Sequence, residues 1–173
     1  QNYTPAKWDT EKYVKEYNFL LNNDKSNVNW YILRYADVLL MYAEALNEWH
    51  HGPNNAALAA LNMVRRRGYG LPYNEANTTV DLKSTSYEGF QEYIRNERAY
   101  ELAFEGNRRQ DLIRWGIYYE TIVNTYIKLI GWYPEANYVA YQYTQKNKHE
   151  LLPIPARDMS LMENFKQNQG WGD

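Results

Sequence analysis

The sequence contains no cysteine, which excludes disulfides, thiol nucleophiles and thiolate metal sites together without fixing the compartment. Histidine is nearly as scarce, at 3 residues. His50 and His51 are neighbours, so on a helix they point about 100° apart and cannot chelate one ion as an i, i+4 pair would. His149 lies far along the chain from both. We therefore expect neither a metal centre nor a cofactor. Positive charge is not in excess, since 19 Lys and Arg stand against 21 Asp and Glu for a net charge of −2. No broad positive field exists to neutralise a phosphate backbone, and nucleic acid is not an expected partner. No apolar run approaches the about 18 residues needed to cross a membrane, and the opening QNYTPAKWDT has neither region of a signal peptide.

Aromatic residues, in contrast, are abundant. They form 16% of the chain, with 18 Tyr and 6 Trp. Such rings fill helix interfaces, yet this number exceeds what a core of this size requires, so some are expected at the surface, open to a flat apolar ligand face or a partner protein. At 173 residues the chain reads as one domain over 1–173.

From Trp30 to Trp49 there is no Pro or Gly, and apolar residues occupy most of the helical circumference. A helix buried on several sides is expected, with Arg34, Asp37, Met41, Glu44 and Glu48 in one narrow stripe. After HHGPNN, Asn54 or Asn55 is suited to cap a second helix from Ala56 to about Arg67, stopped by Gly68. Ala56, Ala57, Ala59 and Ala60 allow close approach, giving an antiparallel hairpin about the length of one tetratricopeptide unit. Thr85 and Glu88 have the form of a capping box opening a third helix that runs to Gly106. Further helical pattern extends to Gly131. The Tyr- and Asn-rich stretch from Gly131 to His149 has no clean period and reads as a loop or short extended excursion. Pro153 and Pro155 hold the chain extended before one short helix, and no β-sheet is expected. The fold class is thus all-α: a helical bundle with a tetratricopeptide-like hairpin, long loops and an irregular C-terminal tail.

Four segments in order, RYADVLLMYAEALNE at Arg34 to Glu48, LNMVRRRG at Leu61 to Gly68, NERAYELAFEGNRRQDLIRWG at Asn96 to Gly116, and LLPIP with NFKQNQGW between Leu151 and Trp171, resemble the C-terminal half of the SusD/RagB family. GYGLP replaces that family's usual Ala-Gly-Leu-Pro, inserting Tyr69 in the turn. The resemblance implies a surface-exposed lipoprotein of the outer membrane of Bacteroidota. Such a protein lies over a TonB-dependent, SusC-like transporter and hands it glycans or, in some members, peptides. It also implies that the chain is part of a longer lipoprotein, associated with the membrane only through an N-terminal lipid that lies outside this sequence.

Glu97, Arg98, Glu101, Glu105, Arg108, Arg109, Asp111 and Arg114 carry both signs at helical spacings. A hydrolase would need one carboxyl group of raised pKa, whereas arginines so close keep carboxylates ionised. These residues, with Arg34, Asp37 and Glu44, are expected to form a structural charge network, and no catalytic residue is expected. Arg65, Arg66 and Arg67 suit a helix C-terminus through the dipole alone. Ligand contact is expected from Trp132, Tyr133, Asn137, Tyr138, Tyr141, Gln142 and Tyr143, with Tyr69 and Tyr73 in the earlier loop. An aromatic ring stacks on the C–H face of a sugar while amides bond its hydroxyls. The reading is glycan capture without covalent chemistry. Its alternatives are a scaffold that docks the transporter, with the ligand site elsewhere, and peptide capture.

Overall fold

The structure, a computed structural model, describes Lys7 and residues 30–161 and 164–172. Apart from Lys7, the polar opening stretch lies outside the described residues. Among those described there are seven α-helices and no strand, as the all-α reading anticipates. The chain divides into two compact units, Gln1–Arg108 and Arg109–Asp173.

In the first unit, α1 (Tyr35–His50) ends where His51 adopts a left-handed conformation, φ 50°, and donates its N–H to the Asn47 carbonyl. The turn leads to Asn54, whose side chain accepts the Ala57 N–H at 2.8 Å and so caps α2 (Asn55–Gly68). This is the hairpin expected from sequence. α3 (Tyr87–Glu101) packs on both helices. The shared core holds Leu40, Ala43, Ala57, Ala60, Leu61, Val64, Phe90 and Ile94, all buried. Full burial of a Leu or Phe side chain contributes about 1.5–3 kcal/mol, and the alanines let the helix axes approach.

Three expectations are corrected here. First, α1 is buried on one side only. Asp37, Leu40, Ala43, Glu44 and Asn47 face inward, while Tyr35, Val38, Met41, Tyr42 and Trp49 are exposed. A helix apolar nearly all round offers several faces for packing, and the face chosen is the one that brings Asp37 to Arg98. Second, α3 is capped by Ser86, which accepts the Gly89 N–H at 3.2 Å, and Thr85 lies one residue outside. A Cβ on Gly89 would stand 2.6 Å from Thr85 Oγ1, so Thr85 occupies the space a side chain would need. Third, α3 stops at Glu101 instead of Gly106. The chain leaves it through Phe104, φ 64°, and Gly106, φ 86°, a left-handed path that is uncommon for phenylalanine.

The second unit begins within α4 (Arg108–Arg114) and continues through α5 (Tyr118–Trp132), α6 (Val139–Tyr143) and α7 (Ala156–Leu161). Gly116, φ 70°, makes the turn between α4 and α5. The stretch read as a loop from Gly131 is partly helical: Gly131 and Trp132 complete α5, and α6 follows and packs on it. Leu112 and Ile122 are the buried apolar residues among those described in this unit. In place of a large core, the tail is tied down by polar contacts. Trp171 Nε1 donates to the Lys148 and Leu151 carbonyls at 3.1 and 3.2 Å. The Gln167 amide bonds both the N–H and the carbonyl of Ile154.

Candidate functional site

The proposed ligand residues gather on α5, α6 and the turn between them. Trp132 is the last residue of α5 and is 76% exposed; Tyr133 follows at the C-cap and is 66% exposed. Asn137 is exposed and Tyr138 half-buried just before α6. Tyr141, Gln142 and Tyr143 lie on α6, with Tyr143 71% exposed. Tyr141 stacks on Tyr126 of α5, ring centroids 4.0 Å apart and planes 8° from parallel, an arrangement that fixes α6 against α5 and leaves one outer face of the pair open. The sequence reading missed Tyr126. Its signal was the spacing of seven residues from Tyr119 to Tyr126 to Tyr133, which places three rings along one side of a helix. Nothing in the structure brings Asn137 or Gln142 into hydrogen-bonding contact with these rings.

Tyr69 and Tyr73 lie in the other unit. Tyr69 caps α2, its ring 5.2 Å from the Arg65 guanidinium, and Gly70 takes the left-handed turn beyond it. Two clefts of about 490 and 450 Å³ sit near them and share Val64 and Arg67. The charged side chains lining them are largely committed to one another. Arg65 binds Glu97 and donates to the Val80 carbonyl at 2.6 Å. Arg66, which lines neither cleft, grips Asp81 through two bonds, at 2.6 and 2.5 Å. Arg67, mostly exposed, stands 3.5 Å from Glu101. Dipole attraction alone is therefore not what the three arginines serve: two of them fasten α2 to the loop before α3 and to α3 itself.

Arg34 joins the start of α1 to the end of α3, donating to Glu101 Oε1 at 2.5 Å, to Glu105 Oε2 at 2.8 Å and to the Glu101 carbonyl at 2.6 Å. Lys7 Nζ adds bonds to the Glu101 and Ala103 carbonyls and to Glu105. These bonds occupy the carbonyl of Glu101, the last residue of α3, and that of Ala103 just beyond it. Buried Arg98 pairs with Asp37 at 2.7 Å. Glu44 is buried on the same inward stripe. Arg108 donates to the Arg95 carbonyl at 3.1 Å. In the second unit, Arg109 donates to the His149 carbonyl at 2.6 Å, and Arg114 pairs with Asp111 at 3.0 Å.

Burial alone would raise the Glu105 carboxyl, but hydrogen bonds from Arg34 and Lys7 outweigh it and hold the group below the usual carboxylate range. The Arg66 bond, opposed by burial, does the same for Asp81. On Arg34, burial works against the charge, and the bonds to Glu105 and Glu101 more than compensate. Carboxylates held ionised in this way are poor proton donors near neutrality, the opposite of what a general acid requires.

Comparison with known proteins places these features in a family context. Residues 1–171 match the model of the SusD family. The chain is 37% identical over 147 residues to SusD-like protein P25 of Formosa agariphila, covering 83% of this chain and 25% of that protein. SusD-like protein P2 of the same organism is 30% identical over 151 residues, covering 85% and 26%. The crystal structure of a SusD homolog from Bacteroides thetaiotaomicron superposes with a TM-score of 0.85 at 56% identity, over 97% of this chain and 32% of that one. The chain thus spans about a quarter to a third of the length of these relatives.

Proposed function

The chain belongs to the SusD family, and from that premise we propose that it takes part in capturing glycans at the cell surface for import, with both units working as one domain. The supporting observation is the set of open rings on α5 and α6: Trp132, Tyr133 and Tyr143 are each more than half exposed beside the Tyr126–Tyr141 stack. Sugar rings stack on such faces, and Asn137, Tyr138 and Gln142 supply hydrogen-bonding groups within the same short stretch. The capture is non-covalent, and the protein is not an enzyme. Affinity is modest, at about 4–8 kcal/mol, because a capture platform must release what it holds. The captured glycan passes to a SusC-like, TonB-dependent transporter, and the protein is held at the outer membrane as a lipoprotein. No described helix is long and apolar enough to cross a membrane.

Retardation of the chain in native gels containing a panel of polysaccharides, with albumin as control, tests this reading. One class of glycan should retard it, and Trp132→Ala with Tyr133→Ala should weaken binding at least about tenfold, or 1.4 kcal/mol. Retardation by none of them would sink it. The exposed apolar face of α1, with Tyr35, Met41, Tyr42 and Trp49, favours a second reading in which the hairpin docks the transporter as a scaffold. In that case charge substitutions at Met41 and Trp49 would abolish transporter association and leave glycan binding intact. Peptide capture differs from the first reading in ligand alone, and the same gels with peptide added as competitor separate the two.

A further inference from the structure

A third cleft, of about 320 Å³, lies wholly within the second unit, between the start of α5, the loop before Leu151 and the tail. It is lined by Tyr119, Glu120, Lys146, Asn147, Glu150 and Gln169, among others. Unlike the clefts around Arg67, its polar groups are not committed to each other. Among the described residues, the side chains of Glu120, Lys146, Asn147 and Gln169 have no hydrogen-bond partner. One Glu150 carboxylate oxygen is buried without a donor, a costly state that a ligand hydroxyl would relieve.

The wall carrying these groups is held from behind. Arg109 takes the His149 carbonyl, Trp171 takes those of Lys148 and Leu151, and His149 Nδ1 accepts the Gln145 N–H at 2.8 Å. Lys148 lies over the Trp171 ring, 4.6 Å from its centroid. Asn147 sits between them in the left-handed conformation, φ 63°. The backbone polar groups are thus used in fixing the loop while the side chains between them remain available, which is the arrangement preorganised binding requires.

We propose that this cleft binds a neutral sugar residue of the captured glycan and excludes acidic ones, a specificity site that rests on the glycan reading above. Its volume falls at the small end of ligand pockets, about 300–1,000 Å³, enough for one or two sugar rings. Tyr119 offers an aromatic face. Two carboxylates and two side-chain amides accept from hydroxyls, and the amides and Lys146 donate to them. Two carboxylates face one ammonium, so the lining is net negative, and a uronate or sulfate ester entering it meets charge of its own sign.

The test is calorimetric titration of the chain with neutral gluco-, manno- and xylo-oligosaccharides and with oligogalacturonate. A neutral oligosaccharide should bind and oligogalacturonate should not. Glu150→Gln should weaken neutral binding about tenfold, as should the exposed-site variant Gln169→Ala, whose fold is checked by an unchanged circular dichroism spectrum. Glu120→Lys should admit oligogalacturonate. Neutral binding that survives Glu150→Gln and Gln169→Ala but disappears in Trp132→Ala would overturn this site and leave the glycan reading standing. Equal binding of oligogalacturonate by the unaltered chain would overturn the charge exclusion. Binding of no oligosaccharide at all would overturn both.

Discussion

The two units use their charged residues in opposite ways. In Gln1–Arg108, arginines reach acids on distant elements: Arg34 to Glu101 and Glu105, Arg65 to Glu97, Arg98 to Asp37. These pairs surround a core built on Leu40, Leu61, Phe90 and Ile94. In Arg109–Asp173, the Arg114–Asp111 pair spans three residues, the buried apolar residues among those described are Leu112 and Ile122, and Trp132, Tyr133 and Tyr143 stand in solvent. Charges in the first unit hold helices together. In the second they are left largely to water and to whatever water can be exchanged for.

That contrast can be broken by substitution. The largest effect is expected from Phe90→Ala, which empties the centre of the first unit. Urea unfolding should show a loss of about 3–5 kcal/mol, against a smaller loss for Ile122→Ala in the second unit. Equal losses would show that the second unit depends on its core as heavily as the first. Arg98→Met leaves the Asp37 carboxylate buried without its charge partner and should cost about 3 kcal/mol. Adding Asp37→Leu should recover part of this, and no recovery would mean that the pair contributes more than charge compensation. Asn54→Ala removes the cap of α2 and should lower stability by about 1 kcal/mol in the same assay. Smallest of all, Trp132→Ala should change stability by no more than about 0.5 kcal/mol while weakening glycan retardation. A larger loss would mean that the ring supports the fold.

Much of the first unit was legible because its signals are local. The Asn54 cap, the alanines of α2 and the stop at Gly68 all act within one helical turn of themselves. The side of α1 that is buried was not legible, because nearly every face is apolar and the choice depends on Arg98, 61 residues away. The end of α3 was hidden for the same reason: the cations that bind its final carbonyl come from Lys7 and Arg34, and nothing about Phe104 announces a left-handed turn. Around α5 and α6, composition pointed to rings of which Trp132, Tyr133 and Tyr143 stand exposed. Their arrangement depended on Tyr126, which sits in a helical stretch that gave no reason to single it out. The open cleft was not legible either, because it is built from side chains between 119 and 169 that share no motif.

The bonds from Arg34 to Glu101 and Glu105 join residues 67 and 71 positions apart. Closing so long a loop is entropically expensive, whereas the α1–α2 hairpin turns over a few residues and forms early. The Arg34 bonds are thus long-range contacts that need the rest of the unit already in place. Only when α1 and α2 have paired and α3 has docked in register do two carboxylates and a carbonyl converge on one guanidinium. A chain with α3 misplaced by one turn would leave that arginine without its partners, so one side chain checks the register of all three helices at once.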